Sequence, residues 1–219
     1  MAEVPERNVT YLGVILAGGQ SRRFNPPPQS PATKQDKPRD KFLAPFGGTT
    51  LLAYIIGRAK KQCPDLILNV TGPQSQYASY DLDMIADDYC DVGPLGGLLA
   101  AMNYAQKGDY SHIVSFSCDC PFFPEDYVAR LSQNIQMTRE KIVVSQSGKG
   151  DEEKIHPVMG LFSAALRDDL EASIKRGERR MMGWIRQHAY KKVVWDNKNP
   201  DPFLNINRPE DLLEAEKYL

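Results

Sequence analysis

No apolar run in the chain approaches the ~20 residues needed to span a membrane. Its beginning, MAEVPERNVT, lacks the apolar core of a signal peptide. These absences lead us to expect a cytoplasmic protein. A basic excess is also missing. Lys and Arg total 27 against 28 Asp and Glu, a net charge of -1, which argues against a general nucleic-acid-binding protein. The four cysteines, Cys63, Cys90, Cys118 and Cys120, match no standard zinc spacing. The CDC at 118–120 reads instead as a strand end, with both thiols on the buried face and Asp119 on the other. His112, His156 and His188 form no ligand-spaced cluster and read as structural, His156 being held extended before Pro157. No GxxxxGK[ST] phosphate loop and no GxGxxG dinucleotide fingerprint occurs.

What is present suits one α/β domain of 219 residues, with 42% hydrophobic residues to furnish a core. Apolar runs at Tyr11–Ala17, Leu66–Val70 and His112–Ser117 read as buried strands, with a shorter one near Met84–Ala86. Segments 51–62, 95–106 and 125–136 read as helices. In the last, Tyr127, Val128, Leu131 and Ile135 recur at helical spacing. Further strands are read at Lys141–Ser145, His156–Phe162 and Lys191–Trp195, with a final helix at Glu210–Tyr218 after Pro209. This alternation predicts a Rossmann-like three-layer domain: a mostly parallel central sheet with helices on both faces.

The stretch YLGVILAGGQSRRF at 11–24 ends an apolar run on Gly18 and Gly19 and follows it with Arg22 and Arg23. Adjacent glycines let backbone N–H groups approach an anion, and arginine forks match phosphate oxygens. A tight turn between a buried strand and the surface is the plainer alternative. In GPLGGLLAAM at 93–102, Gly96 lies where a helix opens, so N–H groups there can face an anion or a base edge, or simply allow close packing on the sheet. The segment NPPPQSPATKQDKPR at 25–39 is proline-rich and basic, and reads as a loop, either an active-site lid or a surface insertion. SGKGDEEK at 147–154 reads as a turn between strands. Ligands in open α/β sheets sit beyond the carboxyl ends of the strands. LAGG, Asn69, Asp87 and Cys118-Asp119 all fall at such ends and are expected to converge on one crevice.

The residues LAGGQSRR, DKFLAPFGGTTLL, GPLGG and CDCPFF resemble the nucleotidyltransferases that share a Rossmann-like sheet. GERRMMGWIRQH at 177–188 and NINRPEDL at 205–212 are similar to the molybdenum cofactor guanylyltransferases, which join GMP from GTP to molybdopterin and release pyrophosphate. The resemblance covers nearly the whole chain. It implies one nucleotidyltransferase domain over 1–219, with a nucleotide-binding half at about 8–120 and an acceptor-binding half at about 121–219.

It also implies roles. Leu16, Ala17 and Gly18 would contact guanosine, with Gly19 near the phosphates. Lys41 would neutralise the triphosphate, flanked by Arg22 and Arg23. Asn69 and Asp87 would help hold the nucleotide. Asp119 would ligate Mg²⁺, with Asp87 as an outer carboxylate. Asn205 and Asn207 would lie toward molybdopterin, and Arg179 and Arg180 would meet its phosphate or else belong to a solvated helix face. GTP and molybdopterin are the implied partners, with molybdoenzyme-maturation proteins as further candidates.

Two departures from the family pattern stand out. The link from the arginines to the Asp-Lys pair is usually about four residues and contains glycine. Here it runs the sixteen residues Phe24 to Arg39, so Asp36-Lys37 competes with Asp40-Lys41. Asp40-Lys41 is preferred because FLAPF and TTLL follow it. Arg208 stands where threonine is common, adding a cation near the cofactor side or simply facing solvent. The rival readings are a related transferase using CTP or another phosphate acceptor, and a non-catalytic nucleotide-binding protein.

Overall fold

A computed structural model describes residues 9–18, 41–196 and 199–219. Gly19, Arg22, Arg23, the 25–39 segment and both aspartates of the competing Asp-Lys pairs lie outside the described residues.

In chain order the elements are β1 (Tyr11–Ala17), β2 (Pro45–Phe46), β3 (Thr49–Thr50), α1 (Leu51–Lys60), β4 (Leu66–Val70) and β5 (Asp83–Ile85). These are followed by α2 (Pro94–Ala105), β6 (His112–Ser117), α3 (Tyr127–Gln136), β7 (Ile142–Ser147) and β8 (Lys154–Ser163). The last are α4 (Arg167–Lys175), α5 (Met181–Ile185), β9 (Lys191–Trp195) and α6 (Pro209–Glu216). Seven strands form one sheet in the order β5-β4-β1-β6-β8-β7-β9, and β2 pairs with β3 in a separate hairpin. All pairings in the large sheet are parallel except those of β8, which runs antiparallel to β6 and β7.

The side-chain alternation of a strand explains why both faces are covered. In β1, Leu12, Val14 and Leu16 pack in one cluster with residues of α2, α4 and α5, while Ile15 and Ala17 pack in the other with residues of α1 and α3. Two cores therefore flank one sheet, which is the expected three-layer arrangement.

Local signals set the helix starts. Thr50 caps α1, its hydroxyl accepting the Ala53 N–H at 3.2 Å. Proline opens α2 at Pro94 and α6 at Pro209, where a missing N–H costs nothing. At α6 the Asp211 carboxylate accepts the amides of Asn207 and Arg208, at 2.8 and 2.9 Å. Arg208 is exposed at this helix start.

The predicted strands and helices are present, with ends shifted by a few residues. Asn69 lies within β4 rather than beyond it. The helices α4 and α5 and the β2–β3 hairpin were not anticipated. One irregularity shapes the site. Gly160 pairs with Val144, but the next pair is His156 with Ser145, so Pro157, Val158 and Met159 stand out of the ladder. Pro157 has no N–H to give a neighbouring strand, which favours such a bulge. Among the described residues no helix is long and apolar enough to cross a membrane.

Candidate active site

A cleft of about 350 Å³ opens at the carboxyl ends of β1, β4 and β6 and the start of β8. That volume falls in the range of small-molecule sites. Leu16, Gly18, Asn69, Gly93 and Pro94 line one side. Ser117, Cys118, Asp119, Lys41 and Phe42 line the middle, and Lys154 to Met159 with Asn205 line the other side.

The middle is the most highly organised part. Lys41 is buried, yet its Nζ meets Asp119 Oδ2 at 3.3 Å and donates to the Ile206 carbonyl at 2.9 Å. A buried ammonium requires such partners, because desolvation otherwise penalises the charge heavily. The Ser117 hydroxyl donates to Asp119 Oδ1 at 2.6 Å, so each carboxylate oxygen has a donor. The Ile206 amide donates to the Asp119 carbonyl at 2.8 Å. The Asn-Ile-Asn segment is thereby stapled to the loop that carries Asp119, which brings Asn205 to the cleft.

On the nucleotide side, Asn69 is buried and its Nδ2 donates to Asp87 Oδ1 at 2.8 Å. Burial pushes the Asp87 pKa up, the Asn69 hydrogen bond opposes the shift, and Asp88 adds to it. Two glycines allow α2 to rest on this pair. A Cβ on Gly96 would come 2.6 Å from Asp87 Oδ2, and one on Gly97 would come 2.3 Å from Asn69 Oδ1.

On the β8 side, His156 is buried with Nε2 2.8 Å from the Ser147 hydroxyl, and its ring stacks on Phe203 at 4.5 Å. Burial lowers its pKa to about 4, with Lys154 adding to the shift and Asp201 opposing it, so the ring is neutral near pH 7. The Ser115 hydroxyl donates to the bulged Val158 carbonyl at 2.5 Å, which fixes the wall's position.

The structure thus brings together Leu16, Gly18, Lys41, Asn69, Asp119 and Asn205. Ala17 points into the opposite core, packed with α1 and α3 residues. Asp87 and Gly96 stand behind Asn69 and do not line the cleft. Asn207 does not line it either. Arg179 and Arg180 are exposed before α5, and the Arg179 carbonyl lies 3.6 Å from where a Gly93 Cβ would stand. The Arg179 backbone therefore passes beside the start of α2, and neither arginine lines the cleft. Cys118 and Cys120 are buried thiols, as expected, but they lie in the turn after β6 ends at Ser117 and not on the strand itself.

Sequence reasoning missed Ser117, Lys154 and the 155–159 wall. Only the proximity of Ser117 to the CDC segment and of 154–159 to the His-Pro pair gave any signal. Among the described residues no group of three or more His, Cys, Asp or Glu side chains is placed to hold a metal. The oxygen donor of Asp119, 22% exposed at the cleft, nevertheless suits Mg²⁺, which takes one or two carboxylates and completes its shell with phosphate oxygens and water.

Residues 13–193 match the family model for the MobA-like NTP transferase domain. The chain is 36% identical over 209 residues to a protein of Nitrobacter hamburgensis named molybdenum cofactor guanylyltransferase, covering 94% of this chain and 92% of that one. Among solved structures, molybdopterin-guanine dinucleotide biosynthesis protein A from Archaeoglobus fulgidus superposes with a TM-score of 0.71 at 19% identity, covering 94% and 97% of the two chains. A 4-diphosphocytidyl-2C-methyl-D-erythritol synthase from Anaerococcus prevotii superposes with a TM-score of 0.69 at 11% identity, covering 96% of each. These structures share the fold, and the sequence match is specific: the chain belongs to the MobA-like NTP transferase family and is a nucleotidyltransferase.

Proposed function

We infer that this chain transfers GMP from GTP to the terminal phosphate of molybdopterin, forming molybdopterin guanine dinucleotide and pyrophosphate. The relatives named molybdenum cofactor guanylyltransferase support the substrates. The observation that carries the mechanism is the Lys41–Asp119 pair, set in the cleft between the β1–β4 residues and the β8 residues. Residues of about 8–120 supply the nucleotide side, and residues of about 121–219 supply the acceptor side. A cytoplasmic location accords with these substrates.

The nucleophile is an oxygen of the acceptor phosphate monoester. Its second pKa lies near ~6, so it is largely a dianion at pH 7 and needs no protein base. This agrees with His156 being neutral and already bonded to Ser147. The new bond joins that oxygen to the α-phosphorus of GTP. The bond from the α-phosphorus to the bridging oxygen breaks, and pyrophosphate leaves with the electron pair.

The difficulty is electrostatic, because two anions must meet while negative charge builds on the leaving group. Lys41 offers a fixed ammonium for that charge, with Arg22 and Arg23 as further cations outside the described residues. Asn69, held by Asp87, and the end of β1 at Leu16 to Gly18, where Ala17 offers only its backbone, orient the nucleoside. Asp119 would hold Mg²⁺, oriented by the Ser117 hydroxyl. When bound, the ion supplies Lewis-acid stabilisation of phosphate oxygens.

The test is pyrophosphate release with Mg²⁺ and molybdopterin, offering GTP, CTP, ATP and UTP separately. Release with GTP that depends on molybdopterin is the expected result. Preference for CTP would move the chain to cytidylyl transfer on the same fold. Nucleotide binding without release under any acceptor would leave a binding protein.

A further inference from the structure

We propose that Lys154 is the acceptor-side anchor: it binds the phosphate dianion of the incoming acceptor and determines acceptor affinity without contributing to GTP binding. The proposal rests on the guanylyl-transfer reading and deepens it at one residue.

The sheet order divides the cleft. β6, carrying Ser117 toward Asp119, lies between β1 and β8. Neighbouring strands are about 4.8 Å apart, so β1 and β8 stand roughly 10 Å from each other. A triphosphate entering over β1 and β4 and a second phosphate entering over β8 would meet above Asp119. The second phosphate needs a cation on the β8 side, because bringing two anions together there is otherwise unfavourable.

Lys154 meets that need and its surroundings leave it available. It lines the cleft as the first residue of β8 and is exposed. Its backbone is held in register opposite Ser147, so the cation rises from a strand and not from a loose loop. Among the described residues, no hydrogen bond or ion pair takes its ammonium, whereas the nearby cations are engaged. Lys149 pairs with Asp196 at 2.9 Å, and Lys192 pairs with Glu153, the acid beside Lys154. The Asp201 carboxylate accepts the Phe203 amide at 2.8 Å.

Lys41 belongs to the middle of the cleft, where Asp119 and the Ile206 carbonyl hold its ammonium and where it is assigned to the triphosphate. His156 adds no charge to this wall, since burial keeps it neutral. Arg179 and Arg180 do not line the cleft. Of the two lysines that line the cleft among the described residues, Lys154 is thus the one whose ammonium is left free, and it stands on the side from which the acceptor comes.

The experiment is steady-state pyrophosphate release by the wild-type chain, Lys154→Ala and Lys154→Arg. Molybdopterin is varied at saturating GTP, and GTP is varied at saturating molybdopterin. Losing a charge-assisted hydrogen bond to phosphate predicts an increase of about tenfold or more in the molybdopterin KM of Lys154→Ala. The GTP KM should stay within about twofold, and Lys154→Arg should recover most of the loss. An unchanged molybdopterin KM, a rise confined to the GTP KM, or no recovery with arginine would each overturn the assignment while wild-type turnover stands. No turnover by the wild-type chain would overturn the guanylyl-transfer reading and the Lys154 assignment with it.

Discussion

Lys41 Nζ lies 3.3 Å from Asp119 Oδ2, and the same ammonium donates to the Ile206 carbonyl at 2.9 Å. One buried cation therefore connects three distant parts of the chain: the segment before α1, the loop after β6 and the segment before α6. Catalytic and structural roles overlap here, and substitutions must be chosen to separate them.

Asp119→Asn is the more informative change at the carboxylate. Asparagine keeps an oxygen for the Ser117 hydroxyl or the Lys41 ammonium but loses the charge that would hold Mg²⁺. Turnover should fall ~10²-fold or more, the loss typical of removing one electrostatic stabiliser. Asp119→Ala should also lower the unfolding temperature, because it strands a buried ammonium, a defect worth about 3–5 kcal/mol in buried pairs. Thermal unfolding of both variants beside their turnover checks this. Wild-type-like turnover in Asp119→Asn would remove the metal assignment.

Lys41→Ala should impair pyrophosphate release from GTP far more than Lys37→Ala does. Lys41 reaches the carboxylate in the cleft, and Lys37 is followed at once by a proline that breaks the family pattern. The reverse order would show that the other Asp-Lys pair carries the chemistry. Circular dichroism of both variants separates lost folding from lost activity.

Gly97→Ala sets two effects against each other. Alanine in a helix interior gains about 1 kcal/mol over glycine. The added Cβ, however, would stand 2.3 Å from Asn69 Oδ1 and 2.7 Å from Leu16 Cδ2, both buried. Overpacking of this kind costs about 1–3 kcal/mol, so the clash should win. Asn69 has little room to retreat, being bonded to Asp87. The expected outcome is a lower unfolding temperature and a GTP KM raised several-fold. Denaturant titration and steady-state kinetics measure the two, and a stabilised variant with unchanged GTP KM would contradict the close packing of α2 on this pair.

Much of this arrangement was legible in the chain because it rests on short-range chemistry. β1 and β9 carry the ends read from their apolar runs, and Pro94 and Pro209 open helices. The motifs also located Lys41, Asn69 and Asp119. Their relationships were less visible. That Asn69 is held by Asp87, or that Ile206 clamps Lys41, depends on residues 18 and 165 positions apart. No periodicity encodes the antiparallel direction of β8, and so its entry into the cleft wall was missed. The helix α4, RDDLEASIK, buries only Leu170, Ser173 and Ile174, too small an apolar stripe to stand out among its charges. Strand alternation packs the Ala17 side chain in the other core, which leaves its backbone for the nucleotide role that the motif implies.

His156 gives the pH dependence its sign. Burial lowers its pKa from the ordinary 6.5 to about 4, with help from the Lys154 charge. The native ring resists a proton that the unfolded chain accepts readily. Stability from this group is therefore fully present above pH 6.5, falls as pH drops from 6.5 toward 4, and levels off below that. The whole loss is on the order of 3 kcal/mol. His156→Gln removes the titration while retaining polar groups near Ser147. Urea unfolding of both proteins at pH 7.5, 6.0, 5.0 and 4.5 should show the wild type losing more stability across the window than the variant. Parallel slopes would mean that the ring is protonated as easily in the native chain as in the unfolded one, and that the wall beside Lys154 carries a second charge at acid pH.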